Sequence, residues 1–278
     1  MANSIALAIN YLKDQVALNE VAKQVLLTTD LEAPKVRWIA ADTVKLPKVA
    51  FGGALGTYSR ATGLTANDIT LTWETYQLTQ DKGNKLILDR MDDEEGLGEG
   101  IAAFVNQYIR TLVVPAIDTY RFGKLKSGAG TRALSQTVAA ADIVDKFLAG
   151  LEVLATNEYA TEGNIIYITP ALDTLLQTST DLSKYIQVGA FGQNAELRVR
   201  MFNGNKIVVV PASRLGSGIN FMIVNPTSVM GVVKHNPAEF WERVPGFDGY
   251  QVDYRLYHDF FVIENRKMGV YVSDTAAS

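Results

Sequence analysis

The sequence predicts an α+β fold, with helices and strands gathered in separate blocks. Three observations point there. Residues 69–78 alternate apolar and polar positions, as a half-exposed strand does. Residues 97–125 carry apolar positions at helical spacing over the longest such run in the chain. After a mixed unit over 136–224, the chain returns to long alternating strands.

The 278 residues give a soft prior of about two domains. Hydrophobic content of 47% and charged content of 20% suit a chain with a real core, and exclude a disordered or collagen-like one. The absence of Cys excludes disulfides, zinc–thiolate sites, iron–sulfur clusters and a thiol nucleophile, and two His rule out a histidine-rich metal site. A net charge of −4 speaks against electrostatic binding of nucleic acid by the whole chain. The first ten residues lack a basic region, and Lys13 and Asp14 soon interrupt their apolar stretch, so no signal peptide is expected. The richest apolar runs, 207–210 and 260–263, are strand-sized, so no membrane association is expected.

Residues 1–34 are expected to form a helical arm. Ile5, Ile9, Leu12 and Val16 share one helical face, Val21 and Val25 form a shorter stripe, and Pro34 ends the segment. Residues 35–48 suit a strand, and the Gly-rich stretch 51–63 cannot pack a core alone. In 69–78, Ile69, Leu71 and Trp73 share a face; a turn at 81–84 and a return at 85–88 complete an expected β-hairpin over 69–89. Such a hairpin is marginal by itself, so it should project and pack on something else.

Four consecutive carboxylates, Asp92 to Glu95, precede the long helix and suit its dipole. Its buried face is expected to hold Ile101, Phe104, Val105, Tyr108, Leu112 and Ala116, with a kink near Thr111, where Pro115 removes a backbone bond. A helix over 138–156 should turn Ile143, Phe147, Leu151 and Leu154 inward. Residues 165–168 suit a buried strand, and Thr169 before Pro170 starts a short helix. Asn203 and Gly204 signal a hairpin between 197–202 and 206–210. Strands follow at 219–224, 230–234 and 250–256, then a hairpin of 260–263 with 268–272.

Candidate chemistry is sparse. The glycines at 96, 98 and 100 lack a Walker lysine and dinucleotide spacing. The acidic run has no EF-hand spacing. His258 precedes Asp259, but neighbours on a strand point to opposite faces and no nucleophile elbow is present; a small-molecule enzyme using this pair is the rival reading from another class. His235 is a structural or interface residue by the same reasoning. Arg198, Arg200 and Lys206 form a small basic group that suits solvent or a neighbouring subunit's carboxylates. No catalytic, cofactor-binding or metal-ligating residue is assigned.

Several stretches, in this order, resemble tailed-bacteriophage major capsid proteins of the Hong Kong 97-type fold: GTYSR at 56–60 with Gly63, TLTWETYQLTQD at 70–81, LDRMDDEE at 88–95, IYITP at 166–170, Asn225 and Pro226 with VKH at 233–235, and DYRLYHDFFV at 253–262. The resemblance implies an N-arm at 1–34 and an extended loop with its β-hairpin at 49–90. It implies a peripheral domain from 35–48, 91–135 with the spine helix, and 228–278. An axial domain would span 136–227. It further implies a structural protein, not an enzyme, that self-assembles with itself into pentamers and hexamers of an icosahedral head. The shell would enclose double-stranded DNA without sequence-specific binding, in a virion assembled in the bacterial host cytoplasm. A portal and a decoration protein would be partners. The arm starts almost at Met1, which implies a separate scaffolding protein. An encapsulin-like nanocompartment shell is the nearest rival.

The subunit-interface candidates are Ile5, Ile9, Leu12, Val16, Ile69, Leu71, Trp73, Lys82 and Lys85. Some relatives weld subunits through a loop lysine and a neighbour's asparagine. Lys82 and Lys85 sit where that lysine could lie, but the surrounding polar residues favour a protonated ammonium, so no cross-link is expected.

Overall fold

The computed structural model describes residues 26–33, 38, 42–52, 58, 60, 69–90, 105, 107–179, 186–188, 200–235, 238–241, 246 and 248–275. Its strands are β1 Thr43–Phe51, β2 Ile69–Gln77, β3 Gln80–Asp89, β4 Thr131–Ala133, β5 Ile165–Ile168, β6 Ile186–Val188, β7 Arg200–Phe202, β8 Asn205–Val209, β9 Ile219–Val224, β10 Val229–His235, β11 Ala238–Trp241, β12 Gly249–Val262 and β13 Val270–Asp274. The helices are α1 Val114–Gly128, continued from a π-helical turn at Ile109–Val113, then α2 Ile143–Thr156, α3 Pro170–Thr178 and the single turn α4 Ala212–Leu215.

A seven-stranded mixed sheet runs in the order β4, β13, β9, β5, β8, β7, β6. Both faces are buried because consecutive residues are apolar. Ile165, Tyr167, Met222, Val224, Val270 and Val272 pack with Phe122 and Leu125 of α1. Their neighbours Ile166, Ile168, Phe221, Ile223 and Tyr271 pack with Ile143, Phe147, Leu151 and Leu154 of α2 and Leu172 and Leu176 of α3. Thr169 accepts the Leu172 amide at 3.4 Å, capping α3 as the sequence indicates. Asn203 (φ 47°) and Gly204 (φ 75°) form the two-residue turn between β7 and β8.

The second sheet centres on β12. The register of β3 covers Gly249 to His258 on one edge. Along the opposite edge, β11 pairs with Gln251 to Tyr254 and β10 with Tyr257 to Val262. Val252, Tyr254 and Leu256 face Val105, Ile109, Val113, Val114 and Ile117, so the spine helix rests its first half on this sheet and its second half on the other.

These pairings correct two expectations. Residues 69–89 are not one hairpin: β2 pairs antiparallel with β1, from Thr43 with Gln77 to Phe51 with Ile69, and β3 pairs with β12. The two-stranded ribbon is therefore β1–β2, and residues 81–84 lie inside a strand. Gly83 is there because a Cβ would stand 2.9 Å from the Tyr254 carbonyl. Likewise, 260–263 does not fold back onto 268–272. The 3₁₀ segment Glu264–Gly269 carries the chain out of the β12 sheet into the seven-stranded one, where β13 lies between β9 and β4. Residues 131–133 and 270–274, grouped above with the peripheral segments, thus belong to the seven-stranded sheet.

The spine helix also differs. Pro115 cannot donate, and the helix answers with the π-helical turn, in which the Val114 amide reaches the Ile109 carbonyl. The extra residue rotates the helix, so Ile109, Val113 and Ile117 are buried while Leu112 is 60% exposed and Ala116 is exposed. Ile101 and Phe104 lie outside the described residues, and α2 begins at Ile143, not at 138.

Candidate assembly surfaces

The β1–β2 ribbon is the chief apolar projection. Its root is fixed: Val44 and Leu78 are buried with Met230 and Val232, and Trp38 bridges to Val44. Outward from the root, burial ends. Ile69 is 69% exposed, Leu71 56% and Trp73 49%, with Thr70 and Thr72 exposed on the other face. Lys48 meets Glu74 at 3.1 Å, and the Tyr76 hydroxyl donates to Glu74 at 2.7 Å. That hydrogen bond holds the Glu74 carboxyl below its ordinary range. Pro47, opposite Trp73, is tolerated because both strands are edges. Exposed apolar side chains grouped in this way mark an interaction surface.

The arm residues Ile5, Ile9, Leu12 and Val16 lie outside the described residues. The end of the arm is described, and it is bound to the body. Thr28 Oγ1 donates to Asp118 Oδ1 at 2.9 Å and accepts from Arg121 Nη1 at 3.0 Å. Arg121 Nη2 meets Glu32 at 2.9 Å, and Arg214 of α4 meets Asp118 at 3.3 Å. Leu31 joins the core, and Ala33 donates to the Gly231 carbonyl at 3.0 Å. Asp118 and Arg121 are both fully buried, and desolvation pushes the Asp118 carboxyl up. Sequence reasoning missed them; the available signal was a charged pair three residues apart inside an apolar helical run.

Lys82 and Lys85 do not flank a turn. They are exposed on β3, opposite Leu256 and Asp253. Asp81 forms a bidentate pair with Arg255, with one distance of 2.9 Å. Lys206 is paired with Asp30 of the same chain in an exposed ion pair, which agrees with the solvated face expected for it; the Arg198 and Arg200 side chains lie outside the described residues.

His258 and Asp259 do not form a catalytic pair. Asp259 accepts from the Thr79 amide (2.8 Å), Thr79 Oγ1 (2.9 Å), the Tyr120 hydroxyl (2.6 Å) and the Phe260 amide (2.7 Å). Burial and the Asp259 bond push the Tyr120 phenol up to about 12. His258 lies edge-on to the Tyr120 ring at 5.7 Å, and its Nδ1 is buried without a hydrogen bond. Burial, with the Arg121 charge behind it, pushes its pKa down to about 4. Such an imidazole stays neutral and packs the core. Among the described residues no group of His, Asp or Glu is placed to hold a metal ion, and no helix is long and apolar enough to cross a membrane.

Comparison with known proteins agrees with this distribution of features. A family model described as phage capsid protein matches residues 65–273, well over half of the chain. The fold is similar to the capsid of cyanophage P-SCSP1u, with a TM-score of 0.68 at 16% identity over 90% of this chain and 87% of that one. A chain of Mycobacterium phage Che8 gives 0.62 at 17% identity over 86% of each. A virus-like particle from Pyrococcus furiosus gives 0.59 at 11% identity over 98% of each. No curated protein matches the sequence. At these identities the solved structures speak for the fold, and the family match speaks for the role. The chain belongs to the phage capsid protein family and is a structural shell protein of the virion with the Hong Kong 97-type fold.

Proposed function

We propose that this chain is the major capsid protein of a tailed double-stranded DNA bacteriophage, closing an icosahedral head from pentamers and hexamers. The observation that carries the reading is the β1–β2 ribbon, anchored at its root and apolar where it leaves the body. Each subunit would lay its ribbon and arm on a neighbour, a heterologous contact that closes into rings. In this reading the β12 sheet and the first half of the spine helix form the peripheral domain. The seven-stranded sheet with α2 and α3 forms the axial domain. A net charge of −4 suits a wall that must not grip packaged DNA. A scaffolding protein, a portal and a decoration protein are the expected partners, and assembly takes place in the host cytoplasm.

The likeness to the virus-like particle over 98% of both chains favours a protein nanocompartment as the second reading. Particles purified after expression with the neighbouring genes separate the two. A phage head yields DNA or scaffold inside shells; a nanocompartment yields a folded cargo enzyme.

A further inference from the structure

One turn of the spine helix holds both the 26–33 segment and the exit of the ribbon. Asp118 and Arg121 bind the arm base: Asp118 accepts from Thr28 Oγ1 at 2.9 Å, and Arg121 donates to Thr28 Oγ1 at 3.0 Å and to Glu32 at 2.9 Å. Between them in sequence, Tyr120 holds the ribbon. Its hydroxyl donates to Asp259 Oδ1 at 2.6 Å, and Asp259 Oδ2 accepts both the amide and the hydroxyl of Thr79, two residues beyond the end of β2. A second link joins the same two places. Ala33, at the end of the arm base, donates to Gly231 and packs against the cluster of Val44, Leu78, Met230 and Val232 at the ribbon root. Gly231 permits that approach, since a Cβ there would stand 3.2 Å from the Leu31 carbonyl.

We propose that the turn at 118–121 couples the arm to the ribbon, so that a change in the seating of one biases the seating of the other. The contacts are short and directional and meet on one helical turn, a contiguous network of the kind that carries coupling where its elements have two arrangements. The purpose of the device rests on the capsid reading: a subunit whose arm has been engaged by a neighbour presents its ribbon in one orientation. The coupling itself does not depend on shells forming.

Hydrogen–deuterium exchange on the unassembled full-length chain tests it. Tyr120→Phe removes only the hydroxyl that holds the ribbon exit; Glu32→Gln weakens only the arm base. Coupling is reciprocal. Tyr120→Phe is therefore expected to speed exchange over 26–33 as well as 76–80. Glu32→Gln should speed 76–80 as well as 26–33. The remote effects should match each other, at about five-fold or more, with 165–168 and 219–224 unchanged. Thr79→Val is the ribbon-side alternative if Tyr120→Phe does not fold. Exchange that rises only beside each substitution would overturn the proposal, and so would a uniform rise across the chain. Neither result would touch the capsid reading, which particle formation decides separately.

Discussion

Gly130 lies directly against the peptide group of Lys267. Its amide donates to the Lys267 carbonyl at 2.9 Å, and a Cβ at 130 would stand 2.5 Å from that oxygen and 2.6 Å from the Lys267 carbon. The contact pins the end of the spine helix to Glu264–Gly269, the segment that passes the chain between sheets. Backbone cannot swing aside as a side chain can. Gly130→Ala should therefore lower stability by ~1–3 kcal/mol. Gly123, mid-helix with nothing within 4 Å of its Cβ position, is the control: Gly123→Ala should raise stability by ~0.5–1 kcal/mol. Thermal melting of the two variants should shift in opposite directions. A Gly130→Ala protein that melts with the wild type would mean the close approach is absent.

His258 predicts a pH dependence. Its folded pKa, about 4, lies below the ordinary 6.5, so the folded state disfavours the charged form. Its contribution is present above pH 6.5 and is lost as the pH falls towards 4. The Arg121 and Lys82 charges act with burial, and Asp259 opposes them. The loss is on the order of 3 kcal/mol. Comparing unfolding of the wild type and His258→Phe at pH 7 and pH 4.5 isolates it. The gap between them should move in favour of the variant in acid; parallel curves would show that His258 is not buried neutral.

Local structure was legible where neighbours in sequence decide it. The Asn203–Gly204 turn, the Thr169 cap, the α2 face and the alternation of β2 follow from residues a few positions apart. Partner choice was not legible. Asp81 to Asn84 look like a turn locally, yet they pair with Tyr254 to Tyr257, some 170 residues away, because tertiary packing outweighs turn propensity there. The spine helix shows the same limit. Two adjacent apolar rows compete for the sheet, and the π-helical turn at Pro115 selects Ile109, Val113 and Ile117 over Leu112 and Ala116. Of the proposed interface residues, the ribbon side chains are exposed, and the lysines moved to β3 with the changed pairing. Asp118 and Arg121 gave no sign of the arm base they bind.

The ribbon's apolar side chains should matter to assembly and little to the subunit. Leu71 is 56% exposed, so Leu71→Asp should change the stability of the unassembled chain by no more than about 0.5 kcal/mol. Shell yield, read by sedimentation, should collapse. A variant that assembles at the wild-type yield would remove the ribbon from the contact; one that unfolds would place Leu71 in the core.

Covalent locking is not expected. Lys82 and Lys85 are exposed on β3, which is paired along the β12 sheet and not carried on the projecting ribbon. Particles boiled in detergent should run as one band near 30.4 kDa. A ladder of covalent oligomers would contradict this, and loss of the ladder in Lys82→Arg or Lys85→Arg would identify the lysine.

The proposed role requires that this chain build a closed shell. Negative-stain electron microscopy of the full-length protein, expressed alone and with its neighbouring gene products, decides whether it does. Rings of five and six subunits and closed particles tens of nanometres across are expected. A monodisperse monomer that persists through a broad screen of salt, crowding agent and scaffold would contradict that role.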